Sequence, residues 1–398
     1  MPIRTTGRYE RTSVGGEQVA AFVPFALPPA APPVDIDAGR AARLRAAEQS
    51  LVRLELAGEM VPSLDWFIYA FVRKEAVLSS QIEGTQATLV DLLNFESQEG
   101  TASPAAPSAD VEEVCNYLDA LAYARAQLAD PHGLPLSMRL LSGTHERLMR
   151  GIRGADKLPG ELRRSQNWIG GSRPGNATFV PPPPHLLGDV LTDFERYLHD
   201  DEVLPALVRA GLLHVQFETI HPYLDGNGRI GRLLVTLLLE HWQLLTKPLL
   251  YLSLFFKRHR EEYYRRLNAV RVEGDWEGWL DFFLDGIATI ADEAVASARE
   301  LFALVATDRA RLLSQEGTSV AGLRLFELLP RHPVVTVATV MRLVGTTKPT
   351  AGRAIETLVG AGILVETTGK RRARSFVYRA YLDRLRVGTE LEDRQAKR

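Results

Sequence analysis

The sequence predicts a mainly α-helical protein: a large helical bundle followed by a small C-terminal module of helix–turn–helix and hairpin. Three observations carry this reading. Apolar residues recur at helical spacing through most of the chain, as from Leu207 to Ile220 and from Ile230 to Leu245. No strand-type alternation of any size and no internal repeat is evident up to about residue 315. Beyond Leu323 the elements become short and are punctuated by glycine and basic residues.

Taken in order, residues 1–34 are proline-rich around Leu27–Pro33 and read as an irregular, poorly helical lead-in. Residues 38–60, rich in Ala, Leu and Arg, read as a helix. A second helix starts near Asp65 and carries Ser79-Ser80-Gln81-Ile82-Glu83-Gly84-Thr85, with Gly84 placed as a C-cap. A short helix follows over Leu89–Phe95, then a Ser/Ala/Pro-rich linker over 97–109. Asp110 with Glu113 three positions later reads as a capping box for the next helix. Helices then run on, interrupted by one irregular stretch from Leu158 to Pro184 that ends in four prolines.

The last segment predicts helices over Leu323–Leu329, Val337–Val344 and Lys348–Gly360. Two strands follow, Ile363–Glu366 and Ser375–Tyr378, around Gly369-Lys370-Arg371-Arg372. This order looks like a winged helix. Between Arg342 and Arg386 ten Lys/Arg face three Asp/Glu, so a net charge of −2 for the whole chain leaves −9 on the remainder. Charge concentrated in one module is the footprint expected of a DNA contact. Lys348, Thr350 and Arg353 are the candidates for the groove, and Lys370, Arg371 and Arg372 for phosphate. Docking of a protein is the other use of such a module. The boundaries expected are a helical N-terminal segment over 1–100, a core over 110–315 and the C-terminal module over 320–390.

Composition narrows the class. With 398 residues, 45% hydrophobic and 24% charged, the chain can bury a sizeable core. A near-neutral balance excludes a generic polyanion binder. The single Cys115 excludes an intramolecular disulfide framework, and its apolar helical setting reads as an inert core thiol. With no apolar signal core and no run long enough to span a bilayer, a membrane partner is not expected, and the cytoplasm is the expected location. Whether the long helix over Trp276–Arg311 packs within the chain or across a homodimer is open.

The chemistry is concentrated in His221-Pro222-Tyr223-Leu224-Asp225-Gly226-Asn227-Gly228-Arg229-Ile230-Gly231-Arg232. A tight loop here feeds a helix N-terminus, a ready anion site. His221 titrates near neutrality and can take a proton. Asp225 supplies the hard oxygen Mg²⁺ prefers beside phosphates. Gly226, Asn227 and Gly228 allow close backbone approach and positive φ. Arg229 and Arg232, spaced i, i+3, bring two guanidinium forks to one face. The remaining histidines, including His145, His185, His199, His214 and His241, read as structural or surface groups. No Cys/His cluster suits zinc.

This motif resembles the signature of the Fic family, enzymes that transfer AMP from ATP onto protein hydroxyls; Tyr223 stands where the family usually has Phe. The resemblance implies a Fic-type helical bundle and a nucleotidyltransferase reaction. His221 would be the base that deprotonates a target Ser, Thr or Tyr. Asp225 would hold Mg²⁺, and Gly226 to Arg232, including Ile230 and Gly231, would cradle the ATP phosphates. A residue near Tyr264 would line the adenine pocket. The 158–184 stretch would be a flap, a small β-hairpin holding the target peptide as an added strand, a role that suits Phe179 and Val180. The Ser79–Gly84 segment resembles the inhibitory segment of Fic proteins that carry their own brake, which implies that Glu83 pairs with Arg232. Glu161, Arg163 and Arg164 are similar to family positions with no role attached. The target would be another protein or the enzyme itself. Two other classes compete: a DNA-binding regulator whose core senses nucleotide, and an enzyme that removes AMP or uses another phosphate donor.

Overall fold

The computed structural model describes residues 4–59, 64–98, 106–152, 156–200, 204–315, 317–369 and 374–391. The mainly helical expectation holds. In the N-terminal part, α1 (Ala38–Glu59), α2 (Leu64–Ile82) and α3 (Leu89–Gln98) precede α4 (Ala109–Ala129) and α5 (Met138–Leu148). The centre is α6 (Leu187–His199), α7 (Ala206–Ile220), α8 (Asn227–His241), α9 (Ser253–Arg258), α10 (Arg260–Glu273) and the long α11 (Trp276–Leu313). The C-terminal module contains α12 (Val320–Leu328), α13 (Val337–Val344), α14 (Lys348–Gly360) and α15 (Arg379–Leu385).

Burial explains the arrangement. Every residue of α7 from Leu207 to Ile220 is buried, including Arg209, His214, Gln216 and Glu218. A helix apolar and enclosed on all sides belongs at the centre of a bundle. α8 packs beside it, and α2, α4 and α5 each pack on α8. α1 lies along α11, which also carries α15. One continuous buried apolar cluster runs from Val23 to Leu385, so the C-terminal module shares its core with the bundle. Cys115 lies partly buried against that cluster. Among the described residues no helix is long and apolar enough to cross a membrane.

Several sequence expectations change. The first residues are not irregular: β1 (Gly7–Val14) and β2 (Glu17–Pro24) form an antiparallel hairpin in register from Gly7↔Pro24 to Val14↔Glu17. Gly15 and Gly16 both have positive φ, 58° and 84°, as a two-residue primed turn requires. The alternation in β1 is faint because only Gly7 of its residues is buried. The expected capping box at Asp110 does not form. Ser108 is the N-cap, accepting from the Val111 amide at 3.3 Å, and Glu113 turns inward. The 158–184 stretch forms no regular hairpin; one isolated bridge, Ile169↔Phe179, closes it.

The C-terminal elements match the expected order, with an unforeseen strand β3 (Val334–Thr336) added to β4 (Val365–Glu366) and β5 (Ser375–Val377). Together they make a three-stranded sheet of order β3-β5-β4. Lys348 and Arg353 are exposed on α14 and Thr350 is half-buried. Lys370, Arg371 and Arg372 lie outside the described residues.

Candidate active site

α7 stops at His221, which takes a left-handed conformation (φ 51°, ψ 62°). Pro222 after it disfavours helical continuation. The loop then returns through Gly226, also left-handed (φ 76°), into α8. No side chain caps α8, so its first-turn amides and its positive dipole end remain for an anion. Asn227 locks the turn from within: its Oδ1 accepts the Tyr223 amide at 2.9 Å, and its Nδ2 donates to the Tyr223 carbonyl at 2.8 Å.

Tyr223 is fully buried, and its hydroxyl meets Ser142 Oγ at 3.2 Å. His145 stacks flat on the Tyr223 ring at 3.9 Å, meets the Asp225 carbonyl through Nε2 at 3.0 Å, and accepts the Gly160 amide at Nδ1 at 2.9 Å. Burial holds its pKa down to about 4. The structural reading of His145 therefore stands, and its contacts show what it does there: it positions the motif loop. His214 is also structural, spanning the Gly231 carbonyl at 3.0 Å and the Tyr263 hydroxyl at 2.9 Å.

His221 is half-buried, and its Nδ1 is enclosed without a hydrogen bond of normal geometry, although the Glu218 backbone lies close enough to favour the charged ring slightly. That leaves Nε2 to meet a substrate proton. Burial, then the positive charges of Arg271 and Arg163, push the His221 pKa down to about 3, against the pull of Glu83. The imidazole is therefore neutral, the form a base needs.

Arg163 sets this geometry. It is buried, with burial lowering its pKa to about 10, and it bonds carbonyls rather than a carboxylate. Nε donates to the His221 carbonyl at 2.9 Å, Nη2 to that of Pro182 at 2.5 Å, and its own amide donates to the Pro222 carbonyl at 3.0 Å. One side chain thus ties the end of the 158–184 stretch to the backbone of His221.

The two motif arginines have different settings. Arg232 is buried; its Nε donates to Ser79 Oγ at 2.9 Å, and its Nη2 donates to the Ser79 carbonyl at 3.0 Å and to Glu83 Oε1 at 2.6 Å. Burial disfavours the Arg232 charge, but Glu83, with Tyr263, Glu218 and Tyr264 behind it, outweighs burial and the pKa rises. Burial likewise works against the Glu83 carboxylate, but the charge and hydrogen bond of Arg232, with Arg229 and His221 adding to them, hold the carboxyl below its usual range. The Glu83 side chain still keeps 34% of its surface in solvent, its carboxylate end turned onto Arg232. A Cβ added at Gly228 would fall 2.2 Å from Glu83 Oε1. The carboxylate thus sits directly over the first turn of α8, in the anion position.

Arg229, in contrast, is held from beneath by the buried Glu113 of α4, with Asp225 3.7 Å away. Its guanidinium is thus already paired within the protein. Asp225 is 46% exposed and takes the Gly226 amide at 2.6 Å on Oδ1. No group of three or more metal-binding side chains exists among the described residues. A lone hard carboxylate at the mouth of an anion site still fits a cation shared with substrate phosphates.

Tyr264 is 42% exposed and close enough to feel both Glu83 and Arg232, whereas Tyr263 is buried in the core. Phe179 and Val180 do not present a free edge. Both are buried, Phe179 lies under Arg271 at 3.9 Å, and the Val180 carbonyl already accepts the Phe22 amide of β2 at 2.8 Å. The N-terminal hairpin therefore occupies the outer edge at Val180, where an added peptide strand was expected.

Sequence reasoning missed Glu218 and the roles of Arg163 and Glu113. Glu218 is buried three residues before His221, its Oε1 without a partner, and burial raises its pKa to about 7. Its position one turn before the base on a fully buried helix was the available signal. Arg163 had its likeness to a family position but no role, and Glu113 was hidden by a plausible role as a cap.

Residues 135–239 match the Fic/DOC family, and residues 41–126 match the Fic/DOC family N-terminal region. Together the two matches cover just under half of the chain. Among curated relatives, a probable protein adenylyltransferase of Aquifex aeolicus is 29% identical over 136 residues, 34% of this chain and 36% of the relative. The protein adenylyltransferase Fic of Drosophila erecta is 30% identical over 169 residues, 42% of this chain and 30% of the relative. The match thus spans about a third of these relatives' own length. A Fic family protein of Desulfovibrio desulfuricans shares the fold with a TM-score of 0.55 at 20% identity, covering 87% of this chain and 97% of that one. A Fic-domain signaling protein of Bacteroides thetaiotaomicron aligns with a TM-score of 0.50 at 19% identity, over 64% of this chain and 95% of that one.

Proposed function

We propose that this Fic protein is a protein adenylyltransferase, a nucleotidyltransferase that moves AMP from ATP to a hydroxyl of a target protein and is restrained by Glu83. The observation that carries the reading is the convergence of a neutral His221, an uncapped α8 N-terminus and the buried Arg232 on one loop, with the Glu83 carboxylate seated in the anion position. The adenylyltransferase relatives agree with this chemistry.

In the reaction, His221 takes the proton of a target Ser, Thr or Tyr hydroxyl. The oxygen attacks the α-phosphorus of ATP, the bond to the bridging oxygen breaks and pyrophosphate leaves. The α8 amides and Arg232 neutralise the phosphates, largely a matter of positioning and charge. Mg²⁺ on Asp225 would supply further neutralisation. Arg163 and His145 hold base and loop in register. With Glu83 on Arg232 the terminal phosphates have no fork to enter, and ATP binds unproductively. The basic C-terminal module is proposed as a winged helix whose α14 meets duplex DNA. Incubation with ATP labelled at the α- or the γ-phosphate separates the chemistries. Label entering protein from the α position alone supports AMP transfer; label from the γ position, or removal of AMP from a modified protein, replaces this reading.

A further inference from the structure

The end of α2 is bonded at a second point besides Arg232. α2 ends at Ile82, and Gln81 lies two residues before Glu83. The Gln81 amide donates from Nε2 to the Thr389 carbonyl at 2.9 Å and to the Ala87 carbonyl at 2.8 Å. Its Oε1 accepts Lys257 Nζ at 2.7 Å. The same ammonium donates to the Glu390 carbonyl at 2.7 Å and to the Gly388 carbonyl at 3.2 Å. The short segment after α15 is therefore stitched to the α2 end by one glutamine and one lysine.

The fit is close. Thr389 is 1% exposed. Gly388 has φ 86°, and a Cβ there would fall 2.6 Å from Leu254 Cδ1. The segment turns back on itself through the Thr389 amide on the Arg386 carbonyl at 2.8 Å and the Gly388 amide on Glu390 at 2.7 Å. The C-terminal module has its own anchor on the bundle, since Tyr378 donates to the buried Asp308 of α11 at 2.8 Å. Residues 388–391 are thus separable from the docking of the module as a whole.

We propose that residues 388–391 are a latch on the brake: by clamping Gln81 they hold Glu83 on Arg232, and their release weakens autoinhibition. The inference rests on the adenylyltransferase reading of the site. Its physical basis is the helix end, which frays unless its last groups are bound. Gln81 carries the bonds that prevent fraying just before the inhibitory carboxylate.

The test removes residues 388–398, and in a second variant replaces Gly388 by Val, which the left-handed backbone and Leu254 cannot accept. AMP transfer from α-labelled ATP is measured for each, alone and with Glu83→Gly. Losing two or three hydrogen bonds is expected to raise transfer about three- to tenfold. With Glu83→Gly already present, neither change adds anything. Unchanged transfer in the parent background, or an equal rise in both backgrounds, overturns the latch. Hydrogen exchange over residues 79–85 gives a reading independent of chemistry: faster exchange in both variants is expected, and unchanged protection refutes the latch. A Glu83→Gly protein that transfers no AMP at all refutes the proposed function, while the exchange result still decides the latch.

Discussion

Glu83 and Arg232 lie 149 positions apart in the sequence and 2.6 Å apart in the fold. The pair joins the end of α2 to the second turn of α8, and so joins a segment outside the motif to the site where phosphate would bind. Ser79, one turn before Glu83, holds the same guanidinium at Nε and Nη2. Ser79→Ala removes the hydroxyl acceptor and leaves the carboxylate contact, so transfer is expected to rise by less than with Glu83→Gly, about fivefold. A filter assay with α-labelled ATP checks this. An unchanged rate assigns the restraint to Glu83 alone.

His221→Ala is expected to abolish transfer while ATP affinity, measured by titration calorimetry in a Glu83→Gly background, stays within about threefold. The base contributes a proton-accepting nitrogen and no phosphate contact, so binding and chemistry separate. Retained transfer removes His221 from the mechanism. Because burial and two nearby guanidiniums hold the imidazole pKa near 3, its ring resonance is expected to stay unchanged between about pH 5 and 8.

Glu113 and Arg229 form a pair whose side chains are 8% and 4% exposed. Removing one partner strands the other charge in the core. Glu113→Ala is expected to lower unfolding free energy by about 3–5 kcal/mol in urea titrations. A loss near zero would mean that Arg229 finds solvent or another partner.

Glu218 is buried and its pKa is raised to about 7 against an ordinary value of 4.5, burial being the first cause. Between these values the folded state holds a proton that the unfolded state has released. Stability from this group is therefore present below about 4.5 and declines as pH rises toward 7. Buried His214 acts in the opposite sense, since burial holds its pKa down to about 3 and acid favours the unfolded state. The two effects offset in the parent, so the informative quantity is a difference. Glu218→Gln is expected to gain stability over the parent as pH rises from about 4.5 to 7, by up to about 1.4 kcal/mol per unit. A constant gap in urea unfolding would contradict the buried acid.

Much of this was legible in the sequence. The motif placed the loop and the helix start correctly, because a proline after His221 and glycines in the turn constrain backbone directly. The Glu83–Arg232 contact followed from resemblance; charge alone on an i, i+4 pair would have favoured a solvated helix end. The N-terminal hairpin was obscured by a polar, exposed β1, although Gly15-Gly16 was a hairpin signal. Its occupation of the Val180 edge is a long-range pairing that no local pattern encodes. Arg163 was equally hidden, since its partners are backbone carbonyls at 182 and 221, which carry no side-chain signature. Glu113 shows the reverse case, where a plausible local role as a cap masked a buried tertiary partner.

The central claim is that a carboxylate of the chain itself occupies the phosphate position. Glu83→Gly, incubated with α-labelled ATP beside the parent and the Glu83→Gly/His221→Ala double variant, tests it most directly. Strong protein labelling in the single variant, weak labelling in the parent and none in the double variant is the result expected. Equal or lower labelling in the single variant than in the parent would contradict it.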